Sequence, residues 1–442
     1  MPQSLEIPKV ALIGVSGYAA VYYEALLDLH TQNRIRLSAA TVINAHEEPE
    51  KCRRLESEGC RIYARTETML AKEKGSLDLC GIPTGIHWHS EMTVAALRAG
   101  CHILVEKPAA GTVAEVEAMI HARDAAERSV AVGFQHLYSE DYGAIKQRVL
   151  DGEIGRIHSI RVRGCWPRSS AYYARNNWAG KLRVGDRWVL DSPANNAFAH
   201  YLMAALHLAG PSLFEPATPT TVAAELYKTQ DIETFDTICA RIGTDAGAEI
   251  LFAVSHASDA ADEPELALHG ELGSIHWKIG ESLTVARPGH PLEVQRVISA
   301  VNTQSHVFER VLNQIRGLAP EACSLEVARV HTVFIDTLHE RVAIHSIPRN
   351  HCHDASAGSG TQHVLIGIND ALRQSFDTGL LFSELKLPWA QKPTAFNISE
   401  SARTLSSGFT NACPSLDCAT PVTSESVGAV QGENLGKGVF TF

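Results

Sequence analysis

Five short apolar runs, each followed by a turn and a helical pattern, constrain the N-terminal third of this chain more than any other feature. They are residues 10–13, 37–43, 77–82, 101–105 and 130–134. Near-continuous apolar runs of this length suit strands buried on both faces. Helical apolar spacing follows at 20–29 and 91–99, and Thr112-Val113-Ala114-Glu115 is a capping box that opens a helix to about Arg128. Strands alternating with helices predict an α/β fold with a doubly wound, mostly parallel sheet.

The first strand runs straight into Gly14-Val15-Ser16-Gly17-Tyr18-Ala19. A Gly-rich turn between strand and helix is the setting of a dinucleotide-binding fingerprint, where free N–H groups and the helix dipole meet a pyrophosphate. Ser16 stands where the second glycine belongs, and Ala19 where the third does. The second strand ends at Asn44, a place usually held by an acid that binds the ribose 2′-hydroxyl. Glu47 and Glu48 come slightly later, and no Arg follows at once to welcome a 2′-phosphate. The choice between NAD and NADP therefore stays open.

Residues 97–108 form a helix end, a turn and a buried strand that stops on Glu106-Lys107-Pro108. Gly100 sits where a left-handed helix cap belongs. Ligands of open α/β sheets bind at the carboxyl ends of strands, which puts Lys107 at the mouth of a crevice.

Of the 442 residues, 45% are hydrophobic and 20% charged, so the chain can build sizeable cores, and its length favours two domains. The net charge of −11 argues against a nucleic-acid partner. No apolar run reaches the ~18 residues of a membrane span, and residues 1–9 lack the pattern of a signal peptide. Ten cysteines without a Cys-x-x-Cys pair fit reduced thiols and a cytoplasmic location. His351-Cys352-His353 has no partner at metal-site spacing, so no metal is expected.

In the second region, 156–165 alternates like a strand, and 166–182 is rich in Arg, Tyr, Asn and Trp. Such a loop suits a carbohydrate, with aromatic faces on C–H surfaces and polar groups on hydroxyls. Tyr173, Arg175 and Asn177 are its candidate substrate contacts. Ser192 and Pro193 suggest the start of a helix running to Leu208, with Asn196 and His200 on one face. Runs at 221–229, 235–241, 249–255, 265–269, 274–279 and 292–297 predict an antiparallel meander. Helical patterns return at 304–316, 325–340 and 364–376, with a Gly/Ser-rich loop at 355–360. Residues from about 401, rich in Ser, Thr, Gly and Asn, read as a mobile tail.

Together these residues resemble the glucose–fructose oxidoreductase/inositol dehydrogenase/MocA family of nicotinamide-dependent oxidoreductases. The carriers are the Gly14–Ala19 turn, Thr84 with His89, Glu106-Lys107-Pro108, Gly133-Phe134-Gln135-His136 and Gly152-Glu153-Ile154-Gly155-Arg156-Ile157. The resemblance covers roughly 8–340. It implies a Rossmann domain (1–136), an α/β domain with a large, mainly antiparallel sheet (137–400) and a C-terminal tail (401–442). The open face of that sheet often mediates oligomers, so a homo-oligomer is expected. The implied cofactor contacts are Gly14, Ser16, Gly17, Tyr18, Asn44, Thr84, His89, Glu106, Lys107, Gln135 and Trp178. Lys107 and His200 become the acid/base pair, and Asn196 takes the place of the aspartate in the family's Asp-x-x-x-His pattern. The implied activity is hydride transfer between NAD or NADP and a secondary alcohol or ketone carbon of a sugar, polyol or derivative. Two other activities fit the scaffold: a redox-neutral, NAD-using enzyme that cleaves or eliminates, and a non-catalytic sensor.

Overall fold

The computed structural model describes residues 6–296, 303–357, 360–399 and 402. Its first sheet holds β1 (Lys9–Ile13), β2 (Arg36–Thr41), β3 (Arg61–Tyr63), β4 (Leu79–Ile82), β5 (His102–Val105) and β6 (Val130–Val132). All six strands are parallel, in the order β3-β2-β1-β4-β5-β6. The helices between them are α1 (Ala19–Thr31), α2 (Pro49–Ser57), α3 (Thr66–Lys72), α4 (Ile86–Arg98) and α5 (Val113–Ala126). The doubly wound sheet is thus as expected, and Thr112 and Glu115 cap α5 reciprocally. Gly100 has the left-handed backbone its position required, at φ +94°. Hydrophobic periodicity does not reveal α2, α3 and β3. β3 is three residues long and only part-buried, so it makes no apolar run. It is held instead by Arg61 and Tyr63, both bonded to the Glu73 carboxylate, which these bonds hold down at about 2.

After α6 (Glu140–Leu150) the chain forms the second sheet. Its long strands are β7 (Ile157–Cys165), β10 (Pro219–Lys228), β11 (Thr237–Thr244), β12 (Glu249–Ser255) and β13 (Asp262–Gly270). β14 (Ser274–Lys278), β15 (Ser282–Ala286), β16 (Glu293–Arg296), β17 (Ile344–Ser346) and β20 (Thr394–Asn397) complete it. The short pair β8 (Arg183–Val184) and β9 (Arg187–Trp188) lies in the loop after α7 (Ser170–Ala174). The order is β16-β15-β14-β13-β7-β12-β11-β10-β17, with β20 also paired to β10. It is mainly antiparallel but not the simple meander expected. β7 lies between β12 and β13 and runs parallel to β12. β15 was not foreseen, and Val297, the last residue of the expected final strand, lies outside the described residues.

Alternation along the strands sorts the side chains into two cores. Ile238, Ala240, Ile250, Phe252, Ile160 and Val162 face α8 (Ala199–Ala209) and α10 (Leu325–Arg341). Cys239, Leu251, Ala253 and Cys165 face the other way, onto α11 (Ile368–Thr378) and the segment carrying Leu381, Phe382 and Trp389. The family resemblance suggested an open sheet face, but the chain's own C-terminal extension covers this part of it. Arg161 donates to the carbonyls of Phe376 and Asp377, and Arg241 to that of Gly379, so two sheet arginines satisfy the end of α11. The expected loop at 355–360 and helix from 364 are corrected as well. A hairpin of β18 (Cys352–Ala357) and β19 (Gly360–Leu365) precedes α11. Residues 364–365 bond across that hairpin, so the helix starts only after Gly367. The expected tail from 401 lies outside the described residues, apart from residue 402.

The cores do not divide at one point of the chain. α9 (Thr303–Ile315) and the start of α10 return to the first core, with Val307, Phe308, Val311, Cys323 and Leu325 buried there. The buried Arg329 pairs with Glu117 of α5 at 2.6 Å.

Phe382 is fully buried under the second sheet. Phe382→Ala should lower unfolding stability by about 3–5 kcal/mol, because it opens a cavity between the extension and the strands. Chemical denaturation followed by tryptophan fluorescence measures it, and an unchanged midpoint would show that the extension does not belong to the folded unit.

Candidate active site

The site begins at the carboxyl end of the first sheet. Gly14 has φ +92° and its N–H donates to Thr41 at 2.8 Å, which turns the chain tightly from β1 toward α1. Gly17, at φ +59°, completes the turn. Ser16 and Asn44 meet across its mouth, with Asn44 Nδ2 at 3.0 Å from the Ser16 hydroxyl. Asn44 Nδ2 also donates to Glu47 at 2.9 Å, which places a carboxylate where the sequence had put one slightly late. Lys51 is occupied by the Val15 carbonyl and Glu48, each at 2.9 Å. Thr84, just past β4, has a buried hydroxyl without a partner among the described residues. The indole of Trp178 lies across from Gly85.

These features fit a dinucleotide: a positive-φ turn leading into a helix N-terminus, and a hydroxyl at the end of β4 without a partner among the described residues. Other expected contacts have different duties. His89 is buried with its ring nitrogens on the carbonyls of Pro108, at 2.8 Å, and Thr84, at 3.0 Å. It ties two strand ends together. Tyr18 and Gln135 both meet Gln304 Nε2, at 2.8 and 3.3 Å, which links the Gly-rich turn to α9.

Glu106 is buried and accepts from Tyr22 at 3.0 Å and from the Lys107 backbone N–H at 3.0 Å. Burial raises its pKa. Any side chain at Gly133 would sit 2.9 Å from this carboxylate, so the glycine of Gly-Phe-Gln-His makes room for it. Lys107 then reaches across to the second sheet's elements. Its Nζ donates to the Asn196 carbonyl at 2.7 Å and to Asn196 Oδ1 at 3.1 Å. Burial lowers the Lys107 pKa, while the charges of Glu106 and Asp191 oppose that shift.

Asn196 is not on a helix with His200, as its spacing suggested. α8 begins at Ala199, and residues 192–198 form consecutive turns. The reason is visible in the carbonyls: Asn196 O receives Lys107, and Ala194 O faces His331 Nε2 at 3.0 Å. His200 enters from the first turn of α8, buried among Phe134, His136 and His331. Its Nδ1 has no partner among the described residues. Burial first, then the Lys107 charge, pushes its pKa well below the ordinary histidine value, so the ring is neutral. His207, one heptad on, bonds Tyr142 and the Leu213 carbonyl and is structural.

The residue that sequence reasoning missed is Asp191. It is buried, accepts from Gly180 N–H at 2.7 Å and from Asn196 Nδ2 at 2.9 Å, and its pKa is raised by burial. The signal lies five residues before Asn196, in Asp-Ser-Pro-Ala-Asn-Asn, where Ser192-Pro193 suggests a helix start instead. Next to Asp191 is a pocket walled by Tyr172, Tyr173, Pro193, Asn196, Phe235 and His256. Tyr173 lines it as expected; His256 and Phe235 were not foreseen. Arg175 stacks 3.5 Å from the Tyr172 ring beside the pocket, and Asn177 is exposed. Among the described residues no group of three or more His, Cys, Asp or Glu side chains is placed to hold a metal, and no helix is long and apolar enough to cross a membrane.

Comparison with known proteins agrees with this architecture. Residues 8–134 match the profile of the oxidoreductase family with an NAD-binding Rossmann fold, and residues 142–276 match the GFO/IDH/MocA C-terminal domain. Inositol 2-dehydrogenase of Klebsiella pneumoniae is 32% identical over 115 residues, 26% of this chain and 30% of that one. The chain spans between 24% and 30% of the length of the first curated relatives it matches. Among solved structures, the WlbA dehydrogenase of Bordetella pertussis, in complex with NADH and UDP-GlcNAcA, superposes with a TM-score of 0.62 at 20% identity. A levoglucosan dehydrogenase in complex with NADH and levoglucosan gives 0.62 at 19% identity. Each superposition covers 76% of this chain and 96% of the other, and shows a shared fold. The chain belongs to the GFO/IDH/MocA family of oxidoreductases.

Proposed function

We propose that this protein is an NAD-dependent oxidoreductase that moves a hydride to or from a secondary alcohol or ketone carbon of a sugar, polyol or derivative. The observation that carries the reading is the buried Lys107 amine at the strand end, turned to Asn196 beside a pocket walled by aromatic rings. The loop that supplies Tyr172 and Tyr173 carries the aromatic and polar side chains that suit a ring of C–H and hydroxyl groups. Bound nicotinamide supplies the hydride acceptor or donor. The chain supplies the proton chemistry: in oxidation Lys107 Nζ takes the hydroxyl proton, and in reduction it returns one. Asn196 orients Lys107 but cannot itself exchange a proton at working pH. Neutral His200 offers Nδ1 to the same oxygen. The presence of both groups favours an enzyme over a sensor, and net NADH formation separates it from a redox-neutral activity.

NAD is favoured over NADP because Glu47 presents a carboxylate beside Asn44 while Lys51 is already occupied. A 2′-phosphate there would meet like charge. Calorimetric titration should show NADH binding at least ten-fold more tightly than NADPH; the reverse order would relocate ribose recognition.

Lys107→Met should reduce turnover by at least about 10²-fold, the low end for losing a general acid/base, with NADH affinity kept. Equal turnover would remove Lys107 from the chemistry.

The pH dependence follows from protonation. Oxidation needs neutral Lys107, so kcat/KM should rise with pH through a pKa below the ordinary 10.5. The Asp191 charge favours the ammonium form, so Asp191→Asn should move that limb to lower pH. A limb that stays in place would show that Asp191 does not act on Lys107.

A further inference from the structure

The β8–β9 hairpin belongs to the second region but rests on the first. Arg187 Nη2 pairs with Glu91 of α4 at 2.5 Å, and the Arg187 guanidinium carbon lies 3.7 Å from the centroid of the Trp88 ring. The Trp188 carbonyl packs against Gly111, where any Cβ would fall 2.7 Å from it. The arms of the hairpin are tied well below its tip. Val189 N–H donates back to Leu182 at 2.9 Å and Asp191 N–H to Lys181 at 3.0 Å. The next step of the chain is a turn at Trp178: Lys181 N–H donates to its carbonyl at 3.1 Å, and Asn176 Oδ1 accepts from Trp178 and Ala179. Arg187 is thus joined to Trp178 through a braced hairpin.

At its root the hairpin meets the end of β4. A Cβ on Gly85 would lie 2.8 Å from the His87 ring and 3.4 Å from Trp178 Nε1. Thr84 Oγ1, His87 Nδ1 and Arg187 Nη1 are buried without hydrogen-bond partners among the described residues, and the Arg187 charge acts on His87. Buried polar groups are ordinarily paired, so this cluster is short of a polar ligand. The strand order says which ligand part reaches it. The sheet runs β2-β1-β4-β5, with Asn44 past β2, the Gly-rich turn past β1 and Lys107 past β5. A dinucleotide stretched from Asn44 to Lys107 therefore crosses the end of β4 with its nicotinamide riboside, whose carboxamide and hydroxyls both donate and accept.

We propose that the β8–β9 hairpin is a clasp on the nicotinamide half of the cofactor, with Arg187 a positioning residue that, latched to Glu91 and Trp88, holds Trp178 at the end of β4 and slows release of the dinucleotide. The inference rests on the nicotinamide reading and adds to it what controls cofactor exchange.

The test uses the full chain and two probes, NADH and ADP-ribose, which lacks the nicotinamide. Stopped-flow fluorescence follows NADH leaving its complex on mixing with excess ADP-ribose, and calorimetry measures ADP-ribose affinity. Arg187→Ala should speed NADH release about ten-fold, the combined effect of a part-exposed ion pair and a cation–π contact. Glu91→Gln, at an exposed position, should speed it about three-fold, since only the ion pair is lost. ADP-ribose affinity should stay unchanged in both, which shows that the variants are folded and that the clasp acts on the nicotinamide half. If Arg187→Ala binds neither probe, Glu91→Gln decides by the same comparison. Unchanged NADH release overturns the proposal and leaves the nicotinamide reading intact, and so does a variant that binds both probes but weakens them by the same factor. Failure of the wild-type chain to bind NADH overturns both.

Discussion

The structure of this site depends on one amine withdrawn from water. Lys107 leaves the end of β5 in the first sheet and is received by Asn196, in a turn of the second region. A buried ammonium is costly unless hydrogen-bonded and faced by opposite charge. Glu106 on one side and Asp191 on the other supply that charge, while burial still prevails and lowers the pKa. The same contact joins the first sheet to the second region at the crevice, so the group proposed for proton transfer also links the two halves. Around it the polar groups are fixed in advance: Glu106 by Tyr22, Asp191 by Gly180, and His331 against Ala194. Such preorganisation lets a proton acceptor work without rearranging its surroundings.

Much of the first half was legible because its signals are local. Apolar runs, the Gly-rich turn and the Thr112–Glu115 box each lie within a few residues and name their own conformation. The sequence points to Lys107 and His200 as candidates because each follows from position in an element or from the family pattern. What was not legible depends on distant partners. Asp191 is buried only because Gly180 and Asn196 come to it. The turns at 192–198 replace an expected helix because their carbonyls serve Lys107 and His331. β7 slots between β12 and β13, a pairing across about a hundred residues that alternation alone does not encode. β3 is held by polar bonds to Glu73, so hydrophobic periodicity is silent there.

The C-terminal extension covers one face of the second sheet. Its helix and its Phe382–Trp389 segment lie on the outward residues of β7, β11 and β12. The β18–β19 hairpin also reaches the pocket wall, where Gln362 donates to the carbonyl of His256 at 3.2 Å. The segment that seals the sheet thus also touches the backbone of a residue lining the pocket.

The most direct test of the account is the titration of the Lys107 amine itself. Lysine-selective nitrogen labelling, with Lys107→Met to assign the resonance, follows Nζ by NMR as pH is raised. The account predicts a midpoint below 10.5, lowered by burial. A midpoint at or above that value would mean that the amine is solvated or held permanently as a cation, and would contradict its role as the group that exchanges the proton.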